Sequence, residues 1–595
     1  MNNIEKSQVT NGRLSRLLDL PAFSAAWGRV LGLALLALSA MPSYAAKTKP
    51  PNYSPDLAAW VAASTNGKVT VNVQYKNFPT KSYLKDRQTG GATVRWQLPT
   101  ITAVNMTVPV SMIATLEGEA NVVYISPDRP VKQFSSPVNP TTEEYATAVQ
   151  ADLAASQYGF TGAGVGVAVI DSGIASHPDL NNSNGTSRVV YSQSFVAGDT
   201  TTSDKFGHGT HVAGLIGGSG ANSGTANGYA ATYAGMAPGV NLINLRVLDQ
   251  NGSGTDSQVI AAIQEAITLQ STYNIRVINM SLGRAIFESY TLDPVDQAVE
   301  AAWKAGIVVV AAAGNEGRYL PTDGFGTIVV PGNDPSVITV GATMTELTST
   351  RVDDQIASYS SKGPTAIDHT AKPDLVAPGN RQVSLRVAGS TLDSTYPQYE
   401  VWPNSGTSMY YELSGTSMAT PVVTGAVALM LQQNSALTPD QVKSRLMKTA
   451  WKGFTQYTNS HDGYGNLYNN EYDLFTYGAG YLDVNSALGD TDLSSGVALS
   501  PTAVFNSKNN SVSIVNTTPD SVFAGSSVVW GATSVVWGTS VVWGSNVLSA
   551  TSVVWGATSV VWGATSVTGD SVVWGATSTV ETACAALSDG DPGDD

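Results

Sequence analysis

The chain has 595 residues, enough for two to four domains, and its 46 acidic against 31 basic residues give a formal net charge of −15. Such an acidic chain repels phosphate backbones and anionic lipids, which argues against nucleic-acid binding. The single cysteine, Cys584, excludes an intrachain disulfide, and 57 glycines with 42% hydrophobic residues indicate a compact protein with many tight turns.

The first 45 residues have the pattern of an export signal. Three arginines precede an apolar run at 30–41, and Ser43-Tyr44-Ala45 is a small-x-small cleavage site. The run is too short to span a bilayer as a stable helix. A buried core helix is the alternative, but such a helix would not end in a cleavage-like site followed by two prolines. We therefore expect a signal peptide at 1–45 and an extracellular or cell-surface location.

Residues 46–135 form a separate unit. The segments 69–73 and 121–125 show strand-like alternation or many β-branched residues, with helical stretches between them. This pattern predicts a small α+β domain.

Buried strands and helices alternate through the next unit, 136–490. This alternation predicts an α/β fold with a mostly parallel sheet. The predicted strands are 165–170, 240–247, 276–280, 307–313 and 337–340, and the predicted helices between them are 255–269 and 294–305.

The composition changes to Ser, Thr, Val, Gly and Ala after about residue 490, which predicts a linker at 491–525. Val-Val-Trp-Gly then recurs through 526–580, and an acidic tail follows at 581–595. Each repeat is long enough for one strand and a turn, so neighbouring repeats must stack. We favour tryptophans packed between stacked strands. The alternatives are a surface that binds glycan, membrane interface or a partner, and self-association through strand edges.

Three segments carry the chemistry: Val169-Ile170-Asp171-Ser172-Gly173, His208-Gly209-Thr210-His211-Val212-Ala213-Gly214 and Ser414-Gly415-Thr416-Ser417-Met418-Ala419-Thr420-Pro421. They supply a carboxylate, an imidazole and a hydroxyl in the chain order Asp, His, Ser. With these surroundings the chain resembles the subtilisin-like serine proteases from about residue 145 to about residue 490. The resemblance implies a three-layer α/β catalytic domain, preceded here by a small α+β propeptide and followed by the β-rich repeat tail.

The resemblance also implies the catalytic roles. Ser417 would be the nucleophile, His208 the base and Asp171 the carboxylate that orients His208. The segment 308–317 resembles the family strand that ends in an asparagine, so Asn315 and the Ser417 backbone N–H would hold the oxyanion. A simple turn at Asn315 is the alternative.

Two residues compete with these assignments. Ser408 repeats the nucleophile motif, but bulky residues (Tyr410, Tyr411 and Glu412) follow it, whereas small and apolar residues follow Ser417. We expect Ser408 in a loop. His211 lies three residues after His208, and we expect it to pack inside the helix.

Substrate binding would use the backbone. The segment 278–283 resembles the family's edge strand, onto which an extended peptide adds as a further strand. The walls of the main specificity pocket would be Ser281, Leu282 and Gly283 on one side and Ala312, Ala313 and Gly314 on the other. These small residues predict a roomy, fairly apolar pocket.

The reaction of this family requires no cofactor. Asp179 matches a position that often binds calcium, but the segment 217–233 departs from the best-known calcium loop. We therefore assign no metal ligand and leave a structural calcium ion open.

The expected activity is that of a secreted serine endopeptidase made as a self-processing pro-form. Its partners would be protein or peptide substrates and its own propeptide, 46–135, acting as inhibitor. An ordinary N-terminal domain that stays attached is the alternative for 46–135. The rival hypothesis for the whole chain is a surface or assembly protein in which the tryptophan repeats are the function and the protease domain is a processing device.

Overall fold

The computed structural model describes residues 52–63, 67–133, 136–137, 145–346, 348, 350–455, 457–462, 465–506, 511–515, 540–543 and 546–549. Within these ranges, none of the helices has both the length and the apolar character needed to cross a bilayer. The expected signal peptide, part of the expected linker (507–510 and 516–525), the expected acidic tail and all of the repeat segment except one hairpin lie outside the described residues.

The N-terminal unit, residues 52–133, is an α+β fold, as predicted. Its antiparallel sheet has the strand order β2-β3-β1-β4, and one hydrophobic cluster, which includes Leu57, Val73 and Ile113, lies between the sheet and its helices. The strands are β1 (Lys68–Tyr75), β2 (Thr93–Leu98), β3 (Ala103–Pro109) and β4 (Val122–Pro127), and the helices are α1 (Pro55–Ala63), α2 (Lys81–Thr89) and α3 (Val110–Glu117). Two short strands follow, β5 (Pro130–Gln133) and β6 (Ser136–Pro137).

A larger sheet forms the centre of the catalytic unit, in the order β15-β14-β13-β11-β7-β9-β8, with β16 also paired to β14. Every pairing in it is parallel except that of β15 with β14. The strands are β7 (Gly166–Asp171), β8 (Val189–Ser194), β9 (Asn241–Arg246), β11 (Ile275–Met280), β13 (Val308–Ala312), β14 (Ile338–Met344), β15 (Gln355–Ile356) and β16 (Leu375–Pro378). β7, β13, β14 and β16 are buried along their whole length, as expected of strands that helices cover on both faces.

Helices pack on this sheet to give the three-layer α/β architecture that the sequence predicted. The helices of the catalytic unit are α4 (Tyr145–Ala148), α5 (Ala151–Tyr158), α6 (His208–Gly217), α7 (Asp256–Thr268), α8 (Gln270–Tyr273), α9 (Pro294–Lys304), α10 (Thr391–Thr395), α11 (Thr416–Gln433), α12 (Pro439–Thr449), α13 (Leu474–Tyr477) and α14 (Val484–Gly489). Local sequence sets their ends: α9 begins with Pro294 after the capping carboxylate of Asp293, and α12 opens with a capping box from Thr438 and Gln441.

The remaining strands lie at the margins of the two units. They are β10 (Ser253–Thr255), β12 (Leu282–Gly283), β17 (Gln382–Leu385), β18 (Glu400–Val401), β19 (Tyr410–Ser414) and three hairpins, β20 (Tyr457–His461) with β21 (Leu467–Glu471), β22 (Thr502–Asn506) with β23 (Ser511–Val515) and β24 (Ser540–Trp543) with β25 (Asn546–Ser549). In the last hairpin one Val-Val-Trp segment, β24, pairs antiparallel with β25, which does not carry that repeat.

The five predicted strands and two predicted helices of the catalytic unit are present, and β14 extends four residues beyond its predicted end. One detail differs from the resemblance. The segment 278–280 belongs to β11 in the interior of the sheet, so it is not an edge to which a peptide could add.

Candidate active site

Asp171 and His208 meet at the carboxyl end of the sheet. Asp171 is the last residue of β7 and His208 the first of α6, and the Asp171 carboxylate lies 2.8 and 3.0 Å from His208 Nδ1, with both side chains fully buried. Because a carboxylate only accepts, the Nδ1 atom carries the proton and Nε2 is left with its lone pair. Gly209 allows this approach, because a Cβ there would lie 2.3 Å from the Gly173 carbonyl oxygen.

The buried carboxylate of Asp204 ties the Asp171 strand to the His208 helix. Its Oδ1 accepts from Ser172 Oγ at 2.9 Å and from Gly207 N at 2.7 Å, and its Oδ2 accepts from the Thr210 N and Oγ1 at 2.8 Å each. Burial raises the pKa of Asp204 above its usual value, and the hydrogen bonds from Gly207 and Thr210 oppose that shift only in part. No sequence motif marks this carboxylate, because it acts through tertiary contacts.

Ser417 is the second residue of α11, whose start depends on glycine. Gly415 precedes the helix at φ 155°, a conformation that favours glycine. Ser417 Oγ donates to the Ser281 carbonyl at 3.0 Å, and Ser281 Oγ donates to the Ser417 carbonyl at 2.9 Å. His208 Nε2 is a buried atom without a hydrogen-bond partner in the described part of the chain. The structure thus brings Ser281 to the predicted nucleophile.

Asn315 lies beside the start of the same helix, and its amide has a definite orientation. The Thr416 backbone N–H and hydroxyl donate to Asn315 Oδ1 at 3.0 and 2.8 Å. Only the oxygen end of the amide can accept the backbone N–H, so the NH₂ end is directed away from Thr416. Thr416 Oγ1 in turn accepts from Gly314 N at 3.2 Å, which links the pocket wall to the helix.

The two competing residues have structural partners. Ser408 Oγ donates to the carbonyls of Val401 and Tyr410, and Tyr410 begins β19 rather than a helix. His211 Nε2 lies 3.1 and 3.0 Å from the carbonyls of Gln382 and Tyr411, and burial lowers the pKa of His211 to about 3. Neither side chain contributes to the Asp171–His208 pair.

The predicted pocket walls surround this point. Leu282 and Gly283 form β12, and Ala312, Ala313 and Gly314 end β13 and continue past it; all five residues are buried. A Cβ on Gly314 would lie 2.8 Å from Ser361 Oγ and 3.0 Å from Val329 Cγ1, so these two side chains support the wall from the other side. Of the predicted edge segment 278–283, only Leu282 and Gly283, which form β12, lie at a sheet edge, where they pair with β5.

Asp179 does not fit a calcium ion. Its Oδ1 accepts from the backbone N–H and the side-chain Nδ2 of Asn222 at 3.1 and 2.6 Å, and its Oδ2 accepts from the Tyr410 hydroxyl at 2.5 Å. Calcium needs oxygen lone pairs around it, whereas hydrogen-bond donors face both oxygens here. Across the described ranges there is also no group of three or more His, Cys, Asp or Glu residues that could hold a metal ion.

We predict that Tyr410→Phe destabilises the protein more than Tyr411→Phe. The first change leaves a fully buried carboxylate oxygen of Asp179 without its donor, which costs about 1–3 kcal/mol of unfolding free energy. The second removes a hydroxyl that donates to the neutral carbonyls of Leu392 and Tyr396, which costs about 0.5–1.5 kcal/mol. Denaturant unfolding of both variants in a Ser417→Ala background, which prevents self-digestion, measures the difference. Equal losses would contradict it.

Comparison with known proteins places this geometry in a family. The family model described as "Subtilase family" matches residues 162–465, about half of the chain. Serine protease AprX of Bacillus subtilis (strain 168) is 42% identical over 291 residues, 48% of this chain and 61% of AprX. Subtilisin E of the same organism is 34% identical over 399 residues, 67% of this chain and 83% of subtilisin E.

A solved structure agrees at the level of the fold. Fervidolysin from Fervidobacterium pennivorans, described as a keratinolytic enzyme related to subtilisin, superposes with a TM-score of 0.53 at 22% identity, covering 75% of this chain and 65% of fervidolysin. The chain thus spans less than two thirds of both AprX and fervidolysin. With a subtilisin-like fold, a family match across residues 162–465 and a buried aspartate–histidine pair at the end of its sheet, the chain belongs to the subtilase family of serine proteases.

Proposed function

We propose that the protein is a serine endopeptidase that hydrolyses peptide bonds in proteins through an acyl-enzyme. The observation that carries this proposal is the buried Asp171–His208 pair, whose basic Nε2 has no other partner in the described part of the chain. Ser417 stands at the start of a helix, where the first N–H groups and the helix dipole favour negative charge.

The reaction begins when the Ser417 hydroxyl leaves the Ser281 carbonyl and gives its proton to His208 Nε2. The Oγ atom then adds to the substrate carbonyl carbon, and the Asn315 NH₂ group and the Ser417 N–H stabilise the oxygen that becomes negative. His208 passes the proton to the leaving nitrogen as the C–N bond breaks. Water, activated by His208, hydrolyses the remaining ester and regenerates Ser417. Every proton is carried by His208, so the reaction needs neither a cofactor nor a metal ion.

We propose further that the N-terminal unit is an inhibitory propeptide. It caps the catalytic unit, because Asp128 accepts from the N–H and hydroxyl of Ser257, in the first turn of α7, at 2.8 Å each. Arg129 is 4% exposed and pairs with Glu288 of the catalytic unit at 2.5 Å. A buried charge pair of this kind is stable only while both partners are present, so it favours a tightly seated unit.

The proposal includes export and a role for the tail. Residues 1–45 carry the signal pattern described above, which supports an extracellular or cell-surface location. For the tail we propose stacked repeat strands, on the basis of the recurring Val-Val-Trp-Gly sequence and of the strand that one such segment forms at β24. Removal of residues 491–595 tests the rival hypothesis, in which the tryptophan repeats are the function. If the shortened protein keeps its peptidase activity but is no longer retained at the cell surface, the result favours a retention function for the tail.

Labelling with a fluorophosphonate probe tests the proposed chemistry. The probe phosphonylates only an activated serine, so we expect one labelled peptide, containing Ser417, in the wild-type protein. Asp171→Asn should reduce labelling by about 10⁴, the loss that accompanies the wrong histidine tautomer in serine proteases. A label on Ser408, or equal labelling of Asp171→Asn, would contradict the assigned triad.

A further inference from the structure

Arg129 lies directly before β5, the strand of the N-terminal unit that pairs with the catalytic unit. β5 is antiparallel to β10 on one side and to β12 on the other. The Asp256 N–H donates to the Arg129 carbonyl at 2.9 Å, so the main-chain pairing on the β10 side continues to Arg129. β12 follows Ser281, whose carbonyl accepts from Ser417 Oγ. An extended peptide added to these two edges would therefore place one of its own residues at the position of Arg129.

The side chain of Arg129 enters a pocket whose walls belong to the catalytic unit. Its Nη1 and Nη2 atoms donate to the two carboxylate oxygens of Glu288 at 2.6 and 2.5 Å. Its guanidinium carbon lies 4.8 Å from the centre of the Phe287 ring, and the Asp293 carboxylate lies 3.9 Å from Nη1. Asp56, from the N-terminal unit itself, accepts from Nε and Nη2 at 2.9 and 3.0 Å. Paired bonds to one carboxylate and flat stacking on a ring are properties of guanidinium rather than of ammonium.

This pocket is acidic when Arg129 is taken away. Arg284 pairs with Asp256 and Asp293 at 2.7 Å each. Glu288 has no such partner in the catalytic unit, because within the described ranges both of its carboxylate oxygens accept hydrogen bonds from Arg129 alone. With Arg129 in place, the Glu288 side chain is only 2% exposed. Removal of one partner from a buried ion pair leaves an uncompensated charge, which is strongly unfavourable. Once the N-terminal unit has left, the pocket therefore holds a carboxylate that another guanidinium can satisfy.

We propose, on the basis of the peptidase function proposed above, that Phe287, Glu288 and Asp293 form a pocket for an arginine side chain of the polypeptide substrate. We call it the arginine pocket. The substrate main chain pairs with β10 and β12 in the register of β5, in which Lys132 is opposite Gly283. The recognised arginine is therefore the third residue before the one opposite Gly283. The preferred substrates are extended polypeptide segments with an arginine at that position.

Competition by a short peptide tests the arginine pocket in the secreted wild-type enzyme. The peptide of residues 127–133, with both ends blocked, should inhibit casein hydrolysis because it can occupy the place of β5. The change Arg129→Ala in this peptide should raise its inhibition constant at least about tenfold, since the peptide loses two charge-assisted hydrogen bonds and a stacking contact. Arg129→Lys should recover only part of this loss, because an ammonium cannot make the paired bonds.

The matched control is Lys132→Ala in the same peptide. This change also removes one positive charge, so it loses the same general attraction to an acidic enzyme. Lys132 is half-buried and lies opposite Gly283, which offers no carboxylate, so inhibition should stay within about twofold of the parent peptide. Equal losses for Arg129→Ala and Lys132→Ala would overturn the arginine pocket.

The enzyme variant Glu288→Gln locates the effect. Glutamine has the shape of glutamate without its charge, so the inhibition constants of the Arg129→Ala and parent peptides should differ by about threefold or less in this variant. This ratio does not depend on the turnover of the variant. If Glu288→Gln does not fold, Phe287→Leu gives a second measurement, because loss of the aromatic face should lower the same ratio at least about twofold. The control Glu300→Gln removes a partly exposed carboxylate that pairs with Lys304, and it should keep the wild-type ratio.

Two kinds of failure are distinguishable. Equal inhibition of an active enzyme by the parent and Arg129→Ala peptides, or an unchanged ratio in Glu288→Gln and Phe287→Leu, would overturn the arginine pocket and leave the peptidase function intact. A wild-type protein that neither cleaves casein nor takes the fluorophosphonate label would instead overturn the proposed function, and the arginine pocket with it.

Discussion

Ser417→Ala is expected to abolish casein hydrolysis, with a loss in turnover of about 10⁶, the figure known for removal of the nucleophile in subtilisin. The reason is that the hydroxyl at the start of α11 forms the ester intermediate, so that its removal leaves the proposed reaction without a nucleophile. The variant should also keep its N-terminal unit, because self-processing of the expected pro-form requires the same hydroxyl. Casein hydrolysis and gel mobility measure both effects.

Ser408→Ala is the matched control, because Ser408 lies in the same five-residue motif. Its hydroxyl donates to the carbonyls of Val401 and Tyr410, so its loss costs about 1 kcal/mol of stability and should leave activity within about twofold of wild type. If Ser417→Ala still matured and cleaved casein while Ser408→Ala did not, the assignment of the nucleophile would be reversed.

Asn315→Ala is expected to lower turnover by about 10²–10³ and to change KM little; the magnitude is that of the equivalent donor in subtilisin. The side-chain NH₂ group binds an oxygen that acquires its negative charge only in the transition state, so the ground-state complex loses little. Steady-state kinetics on a peptide anilide separate the two constants.

Asn315→Asp sharpens this test. The carboxylate can still accept from the Thr416 N–H and hydroxyl, so the local contacts of Asn315 Oδ1 are kept. The NH₂ donor is replaced by an oxygen that repels the oxyanion, and turnover should fall at least as far as in Asn315→Ala. Full activity in Asn315→Asp would exclude an oxyanion role for this side chain.

The elements of the catalytic unit could be predicted because their signals are local. Runs of buried β-branched residues define β7 and β13, and α9 carries both a capping Asp293 and Pro294 in its first turn. Roles were assigned to Asp171, His208 and Ser417 because each lies in a specific motif, and these roles stay predictions. The structure brings Asp171 to His208 and Ser417 to the pocket wall at Ser281.

The features that were missed depend on contacts between residues far apart in sequence. Asp179 and Tyr410 are separated by 231 positions, and nothing in either segment indicates that a tyrosine occupies this carboxylate. Likewise, nothing in the local sequence indicates that Asp204 accepts a hydrogen bond from Ser172 or that Arg129 pairs with Glu288. The edge strand was placed wrongly because a short strand after a break at Ser281 has no periodicity of its own.

The position of the N-terminal unit also constrains the order in which the molecule can form. Its hydrogen bonds to Ser257, Glu288 and Leu292 fall on a stretch that lies more than one hundred residues ahead of Ser417 in the chain. The residues to which the N-terminal unit docks therefore come earlier in the chain than the nucleophile helix. That helix, α11, packs against β11, β13, β14 and β16 and can pack fully only when the last of these strands has formed. Pairings between distant parts of a chain form slowly. On the proposed function, the inhibitory unit can therefore dock before the helix that carries Ser417 is in place.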